Sequence, residues 1–74
     1  MFTAMFAIEI VIVRPGKEPL VIDRMTSTAS AIEDAERSAE RSLGAAQRAR
    51  PHSPPNGYRI TDGHGTVVVR SWER

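Results

Sequence analysis

The fold is decided by the first apolar run, Phe2-Thr3-Ala4-Met5-Phe6-Ala7-Ile8-Glu9-Ile10-Val11-Ile12-Val13. Its β-branched and aromatic residues pack well on a pleated surface and favour a strand. Alternation places Phe2, Phe6, Ile8, Ile10 and Ile12 on one face and Thr3, Met5, Ala7, Glu9, Val11 and Val13 on the other. Because the first face is apolar and the second is only half polar, we expect a central strand with both faces covered.

The chain has 74 residues and forms one small domain, residues 1–74, which buries only about 60% of its unfolded surface. Domains of this size usually need a disulfide, a metal or a second subunit for stability. There is no cysteine, so disulfides and thiolate zinc sites are excluded. His52 and His64 cannot complete a four-ligand metal site by themselves. We therefore expect no metal or cofactor, and oligomerisation as the remaining source of stability.

Charge and hydropathy predict a cytoplasmic protein without a membrane span. The formal net charge is only +1, which gives no global signal for nucleic acid or for a membrane surface. The first apolar run has no basic flank and is interrupted by Glu9, unlike a signal peptide. It is also shorter than the roughly 20 residues of a membrane-spanning helix. The absence of thiols fits a reducing cytoplasm.

The run Leu20–Met25 predicts a second strand, joined to the first by a hairpin. The connection Arg14–Pro19 contains two prolines around a glycine, which marks a turn. If Arg14 pairs with Leu20, and Ile12 therefore with Ile22, the loop has about five residues, within the usual range for hairpins.

A helix is predicted to begin near Ser30 and to end at about Ala49. Both Thr28 and Ser30 are possible N-caps, and Ser30 with Glu33 matches a capping box. Apolar residues then recur at helical spacing, namely Ile32, Ala35, Ala39, Leu43 and Ala46. Gly44 either ends the helix as a C-cap or costs about 1 kcal/mol inside it. We favour continuation, because good helix formers follow.

The C-terminal part predicts a second hairpin, after a proline-rich connection at Pro51–Gly57. Its strands are Tyr58–Thr61 and Thr66–Trp72, joined by a tight two-residue turn at Gly63-His64.

A two-residue turn at Gly63-His64 determines which residues of the two strands pair. Ile60 pairs with Val67, and Tyr58 pairs with Val69, with these four side chains towards the core. A two-residue turn also requires positive φ at its glycine, Gly63, and leaves His64 exposed.

The order strand, strand, helix, strand, strand predicts an α+β fold. A right-handed crossover through the helix leaves room for the first strand between the second and the third. The predicted sheet is therefore antiparallel and four-stranded, with order 2-1-3-4 and one helix packed on one face. The expected core consists of Ile8, Ile10, Ile22, Ile32, Leu43, Ile60, Val67 and Val69.

The chain resembles a family of short bacterial domains of unknown function. The similar parts are the helix, Ile32–Leu43, and a final hairpin of the form aromatic-x-Ile-x-Asp-x-x-Gly-x-Val-Val. In that hairpin the matching residues are Tyr58, Ile60, Asp62, Gly65, Val67 and Val68. The first turn differs, because Arg14–Pro19 replaces a longer acidic segment. The resemblance implies the β-β-α-β-β fold and no catalytic residue, since the family has none assigned.

The sheet face away from the helix is the predicted interaction surface. Its residues are Met5, Val11, Val13, Arg59, Val68, Arg70 and Trp72. An apolar patch of this size on a small monomer usually marks an interaction site. We expect a homodimer formed through this face or through the fourth strand, with Trp72 near the centre and Arg70 at the rim. A different protein partner is also possible.

Two other functions are weighed against this one. Catalysis would have to use Asp62, His64, His52, Ser27 or Ser30, and a turn or a helix cap accounts for most of these, so we expect no enzyme. The alternative is a nucleic-acid-binding sheet surface that uses Arg59, Arg70 and Trp72, together with Tyr58 and Arg74. Arg59 and Arg70 paired with carboxylates such as Glu9 across a subunit interface would have a structural role, whereas free arginines beside an exposed Trp72 favour nucleic acid.

Overall fold

The computed structural model of the protein describes residues 5–73. The elements are β1 (Phe6–Ile12), β2 (Leu20–Ser27), α1 (Ile32–Ala49), β3 (Gly57–Thr61), β4 (Val67–Arg70) and a C-terminal 3₁₀ turn (Ser71–Glu73). Residues 2–4 of the first apolar run, and Arg74, lie outside the described part of the chain.

The sheet confirms the predicted fold class. All three strand pairs are antiparallel, and the order is β2-β1-β3-β4. Helix α1 packs on β1 and β3, and the core between them is formed by Ile8, Ile10, Ala35, Ala39, Tyr58 and Ile60. Ile10 and its neighbour Val11 are both fully buried, so β1 is covered on both faces, as expected of a central strand.

Most of the predicted core is confirmed. Ile8, Ile10 and Ile60 are buried, and Ile22, Leu43 and Val69 are half-buried against the same cluster. Ile32 and Val67 are half-buried outside this cluster, so their predicted place in the core is wrong. Val67 pairs with Thr61, on the face of the sheet away from α1. The alanine stripe of α1 lets the helix sit close to the sheet, and Ala35 and Ala39 are fully buried.

The first hairpin has a different register from the predicted one. Ile12 pairs with Leu20, not with Ile22, so the loop spans residues 13–19. The loop closes through a turn in which Lys17 N donates to Arg14 O at 3.3 Å. A bulge at Ile22, which has no partner on β1 and packs against the core, then shifts the register by one residue. Beyond it, Arg24 pairs with Glu9, and Met25 pairs with Ile8 on the core side.

The ends of α1 differ in how well they were predicted. The N-cap is Ala31, which makes no side-chain cap, so the predicted caps at Thr28 and Ser30 are wrong. Asp34 N donates to Ala31 O at 3.2 Å, so Ala31 is the N-cap and the helix begins at Ile32, two residues after Ser30. The predicted continuation through Gly44 is confirmed, and α1 ends at Ala49.

The second hairpin closes through a three-residue loop, Gly63-His64-Gly65. Asp62 N donates to Thr66 O at 2.9 Å, and Gly65 N donates to Asp62 O at 3.1 Å. The glycine with positive φ in this loop is Gly65 (82°), and the prediction of positive φ at Gly63 is therefore wrong. A type I turn followed by a left-handed glycine produces this arrangement. His64 is exposed, as predicted.

The longer loop changes the pairing of β3 with β4. Ile60 pairs with Val69, whereas Val67 pairs with Thr61, so the predicted pairs of Ile60 with Val67 and of Tyr58 with Val69 are wrong. The extra loop residue and a bulge at Val68 each shift the register by one. Two shifts of one restore the alternation, and Val69 therefore still faces the core.

The Asp62 carboxylate holds this loop. Its Oδ1 accepts hydrogen bonds from Thr66 N at 3.0 Å and from His64 N at 2.9 Å. These bonds, of which the one from Thr66 is the stronger cause, hold the pKa of Asp62 below its usual range. The charged form therefore stabilises the folded state fully above the unfolded pKa of about 3.9, and this contribution is lost as the pH falls through the folded pKa.

We expect Asp62→Asn to reduce the acid-dependent loss of stability, because asparagine keeps the acceptor oxygen and lacks the titrating charge. Asp62→Ala removes both and should lower the melting temperature at neutral pH as well. Thermal unfolding of both variants and the wild type between neutral and acidic pH measures the difference. If Asp62→Asn lost stability with acid as steeply as the wild type does, the assigned role of this carboxylate would be wrong.

Candidate interaction surface

The face of the sheet opposite α1 is here called the open face. The registers place its residues in rows across the strands, and the middle row is Arg24, Glu9, Arg59 and Arg70, one residue from each strand in sheet order. A second row is Val21, Val11 and Gly57. The sequence patterns predicted that Arg59 and Arg70 lie on this face. That Arg24 and Gly57 also lie there follows only from the strand registers.

Trp72 closes one end of the open face over Gly57. A β-carbon on Gly57 would lie 3.1 Å from Trp72 Cε3, 3.1 Å from Ser71 Oγ and 3.4 Å from Val13 Cγ2. Tyr58 N donates to Ser71 Oγ at 2.9 Å, which fastens the 3₁₀ turn to β3. The indole is therefore half-buried against its own chain, and Val11 beside it is fully buried.

The middle of the open face is charged, and the row Arg24, Glu9, Arg59 and Arg70 is called the arginine row. Glu9 Oε1 accepts from Arg59 Nε at 2.7 Å, and Glu9 Oε2 lies 3.7 Å from Arg24 Nε. The side chains of Glu9 and Arg59 are only 16% and 23% exposed. One carboxylate thus orients an arginine on each neighbouring strand.

The last arginine of the row also pairs within the chain. Arg70 Nε lies 3.5 Å from Glu73 Oε2, in the 3₁₀ turn. Both Arg59 and Arg70 therefore have carboxylate partners within their own chain, and the expected pairing across a subunit interface stays a prediction. The predicted place of Trp72 at the centre of a dimer interface stays a prediction, but its ring already has a partner in its own chain.

The edge of β4 borders a shallow groove. The groove has a volume of about 360 Å³ and is lined by Glu36, Val67, Val68, Val69, Arg70 and Glu73. Within residues 5–73 the outer side of β4 pairs with no other strand. Val68, at the bulge, is 40% exposed. This edge combines three consecutive valines with open backbone groups.

The opposite edge, β2, is built differently. Arg24 N donates to Asp23 Oδ1 at 2.9 Å, so a side chain already occupies that backbone donor. Two charged residues in mid-strand, Asp23 and Arg24, also discourage pairing with another strand. The large apolar residues that β2 exposes, Leu20 and Val21, lie at the first end of the strand.

The side chains considered for catalysis have structural roles or stand exposed. Asp62 holds its loop, and Ser27 Oγ accepts from Ala29 N at 3.2 Å. Ser30, His52 and His64 are exposed. In the part of the chain that the structure describes, no three His, Asp or Glu side chains group as metal ligands, and no helix is long and apolar enough to cross a membrane.

The comparisons with known proteins add no relative to this description. The chain matches no protein-family model, no curated protein and no solved structure. The similarity to the short bacterial domains therefore stays a prediction from the helix and the last hairpin.

Proposed function

We propose that the protein is a small non-catalytic interaction module that forms a homodimer, in which two copies pair their β4 edges. The observation that carries the proposal is the β4 edge itself, whose outer side pairs with no other strand within residues 5–73 and which has three valines in sequence, with Val68 40% exposed. Unpaired edges of this kind are templates for adding another strand.

A two-fold axis beside β4 is the simplest geometry for this dimer. The axis pairs β4 with its copy in antiparallel fashion and joins two four-stranded sheets into one. The groove beside Val67, Val68 and Val69 would then receive side chains from the partner strand. The short chain without cysteine supports the same proposal, because a second subunit supplies the stability that a small core lacks.

The other surfaces are less suited to self-association. Stacking two open faces would bring the arginine row against its own copy, and like charges repel. Pairing through β2 would have to displace the bond from Arg24 N to Asp23 Oδ1. The β4 edge has only Arg70, at its end, and that side chain pairs with Glu73.

Nucleic-acid binding receives less support than the dimer. Base-stacking surfaces need an accessible aromatic ring beside available cations. Here Trp72 packs on Gly57, and Glu9 accepts a hydrogen bond from Arg59. We place the proposed function in the cytoplasm, which the absence of cysteine supports.

The test compares two exposed valines on opposite edges. Val68 is 40% exposed and Val21 is 39% exposed, so Val21→Lys is a matched control for Val68→Lys. We expect the wild type and Val21→Lys to sediment at about 16.4 kDa, twice the chain mass of 8.2 kDa, at tens of micromolar. We expect Val68→Lys to sediment as a monomer, because an edge lysine opposes strand pairing. A monomeric wild type, or dissociation caused equally by both variants, would contradict the proposal.

A further inference from the structure

We propose that Asn56 is a self-modification site, at which the backbone nitrogen of Gly57 converts the side-chain amide to a carboxylate, and that the folded chain holds this reaction back. Asn56 lies just before β3 and is bonded to the chain around the end of β1. The site does not involve the β4 edge, so the proposal is independent of the dimer.

The chemistry follows from the dipeptide Asn56-Gly57, which contains the one asparagine of the chain. Gly57 has no β-carbon, so its backbone nitrogen can approach Asn56 Cγ with little steric hindrance. The new N–Cγ bond closes an imide ring, the bond from Cγ to Nδ2 breaks, and Nδ2 leaves as ammonia with the proton from Gly57 N. Water then opens the ring at either carbonyl, which gives aspartate or isoaspartate. The reaction needs no reactant other than the chain and water.

Both polar atoms of the Asn56 side chain are bound to the backbone of Val13. Oδ1 accepts a hydrogen bond from Val13 N at 2.7 Å, and Nδ2 donates to Val13 O at 3.2 Å. The backbone N of Asn56 also donates to Val11 O at 3.2 Å. These three hydrogen bonds, called the Asn56 clasp, hold the first hairpin loop, residues 13–19, against the start of β3.

The Asn56 clasp opposes closure of the imide ring. Nδ2 must give up its bond to Val13 O before it can leave as ammonia. Gly57, which supplies the attacking nitrogen, is buried in β3 under the indole of Trp72. Ring closure therefore requires local opening, and its rate is limited by the fraction of molecules that are open. Asn56 itself is exposed, so water can reach the ring once it has formed.

The product cannot rebuild the Asn56 clasp. A carboxylate accepts hydrogen bonds but has no donor, so the bond from Nδ2 to Val13 O has no replacement. A negative oxygen would face that carbonyl oxygen instead. Isoaspartate also lengthens the main chain just before β3. Conversion of Asn56 therefore unfastens the first hairpin loop irreversibly, and the converted fraction rises with how often the loop opens.

The first test compares the reaction in the folded and in the unfolded chain. The wild type is incubated at mildly alkaline pH in buffer and in concentrated urea, and conversion of Asn56 is followed by mass spectrometry of the peptide that contains it. We expect the folded chain to react roughly tenfold more slowly or less, because the side-chain bonds of the Asn56 clasp must break first. Equal rates in buffer and in urea would overturn the proposal.

A pair of variants at Val13 tests the Asn56 clasp in the folded state. Val13→Pro removes the N–H that donates to Asn56 Oδ1, whereas Val13→Ala keeps this donor and shortens the side chain. We expect conversion of Asn56 to be roughly fivefold faster in Val13→Pro than in Val13→Ala, which is the effect of one hydrogen bond on the open fraction. Circular dichroism checks that both variants are folded. Equal rates in the two folded variants would contradict the proposal.

Asn56→Asp reproduces the aspartate product and tests its effect without a rate measurement. We expect the melting temperature to fall by about 4–8 °C, the shift that the loss of one hydrogen bond causes in a domain of this size. Ser53→Asp is the matched control, because it adds the same charge at an exposed position of the same connection, and it should not lower the melting temperature. An unchanged melting temperature for Asn56→Asp, or an equal fall in both variants, would show that conversion does not unfasten the loop.

Discussion

Replacing Ile10 with alanine is expected to lower the free energy of unfolding by about 2–5 kcal/mol. Ile10 is fully buried at the centre of β1, where it packs in the cluster that joins the sheet to α1. The substitution removes apolar contacts and leaves a cavity, because the surrounding structure relaxes only partially. The total free energy of unfolding of a domain is only about 5–15 kcal/mol, so the Ile10→Ala variant of a chain of this size would come close to unfolding at room temperature.

Urea unfolding followed by circular dichroism measures this loss. Leu20→Ala is the control, because Leu20 is an exposed aliphatic residue at the end of β2, and its loss should be below about 1 kcal/mol. Similar losses for the two variants would show that β1 does not hold the core in the way described.

Replacing Gly57 with valine is expected to destabilise the protein by about 1–3 kcal/mol, although valine is a better strand former than glycine. The reason is the 3.1 Å approach of Trp72 and Ser71 to the place of a β-carbon. The added side chain must push the 3₁₀ turn away from β3 or strain the strand. In the first case the indole moves into water.

The emission of Trp72 reports this directly, because the chain has one tryptophan. We expect Gly57→Val to shift the emission to longer wavelength in the folded state. Thr61→Val, at the other end of the same strand and on the same face, should leave it unchanged. A more stable Gly57→Val protein with unchanged emission would mean that the indole does not pack on β3.

The regular features of this fold follow from the sequence pattern alone. Alternation in β1 indicated a central strand, and the burial of Ile10 and Val11 confirms it. The spacing of Ile32, Ala35 and Ala39 indicated the face of α1 that packs on the sheet. These patterns are predictive because burial of one face is the largest favourable term for each element.

The irregular features could not be predicted in this way. Three irregularities each shift a strand register by one residue, namely the bulges at Ile22 and Val68 and the left-handed Gly65. In the second hairpin two such shifts leave Val69 on the core side, so the hydrophobic pattern there does not reveal them. The arginine row depends on those registers, so the partnership of Arg24 with Glu9 was missed. The contact of Trp72 with Gly57 depends on the 3₁₀ turn, which the sequence pattern did not predict.

The most direct test of the β4 dimer measures two distances between copies. The chain has no cysteine, so Val68→Cys and Val21→Cys each provide a single site for a spin label. In one continuous sheet the two β4 strands are about 5 Å apart, and the two β2 strands, seven strand spacings apart, about 34 Å. Pulsed dipolar spectroscopy should therefore give a distance for the Val21 labels roughly 29 Å longer than for the Val68 labels. A shorter distance at Val21 than at Val68, or no dipolar coupling at either position, would contradict the account.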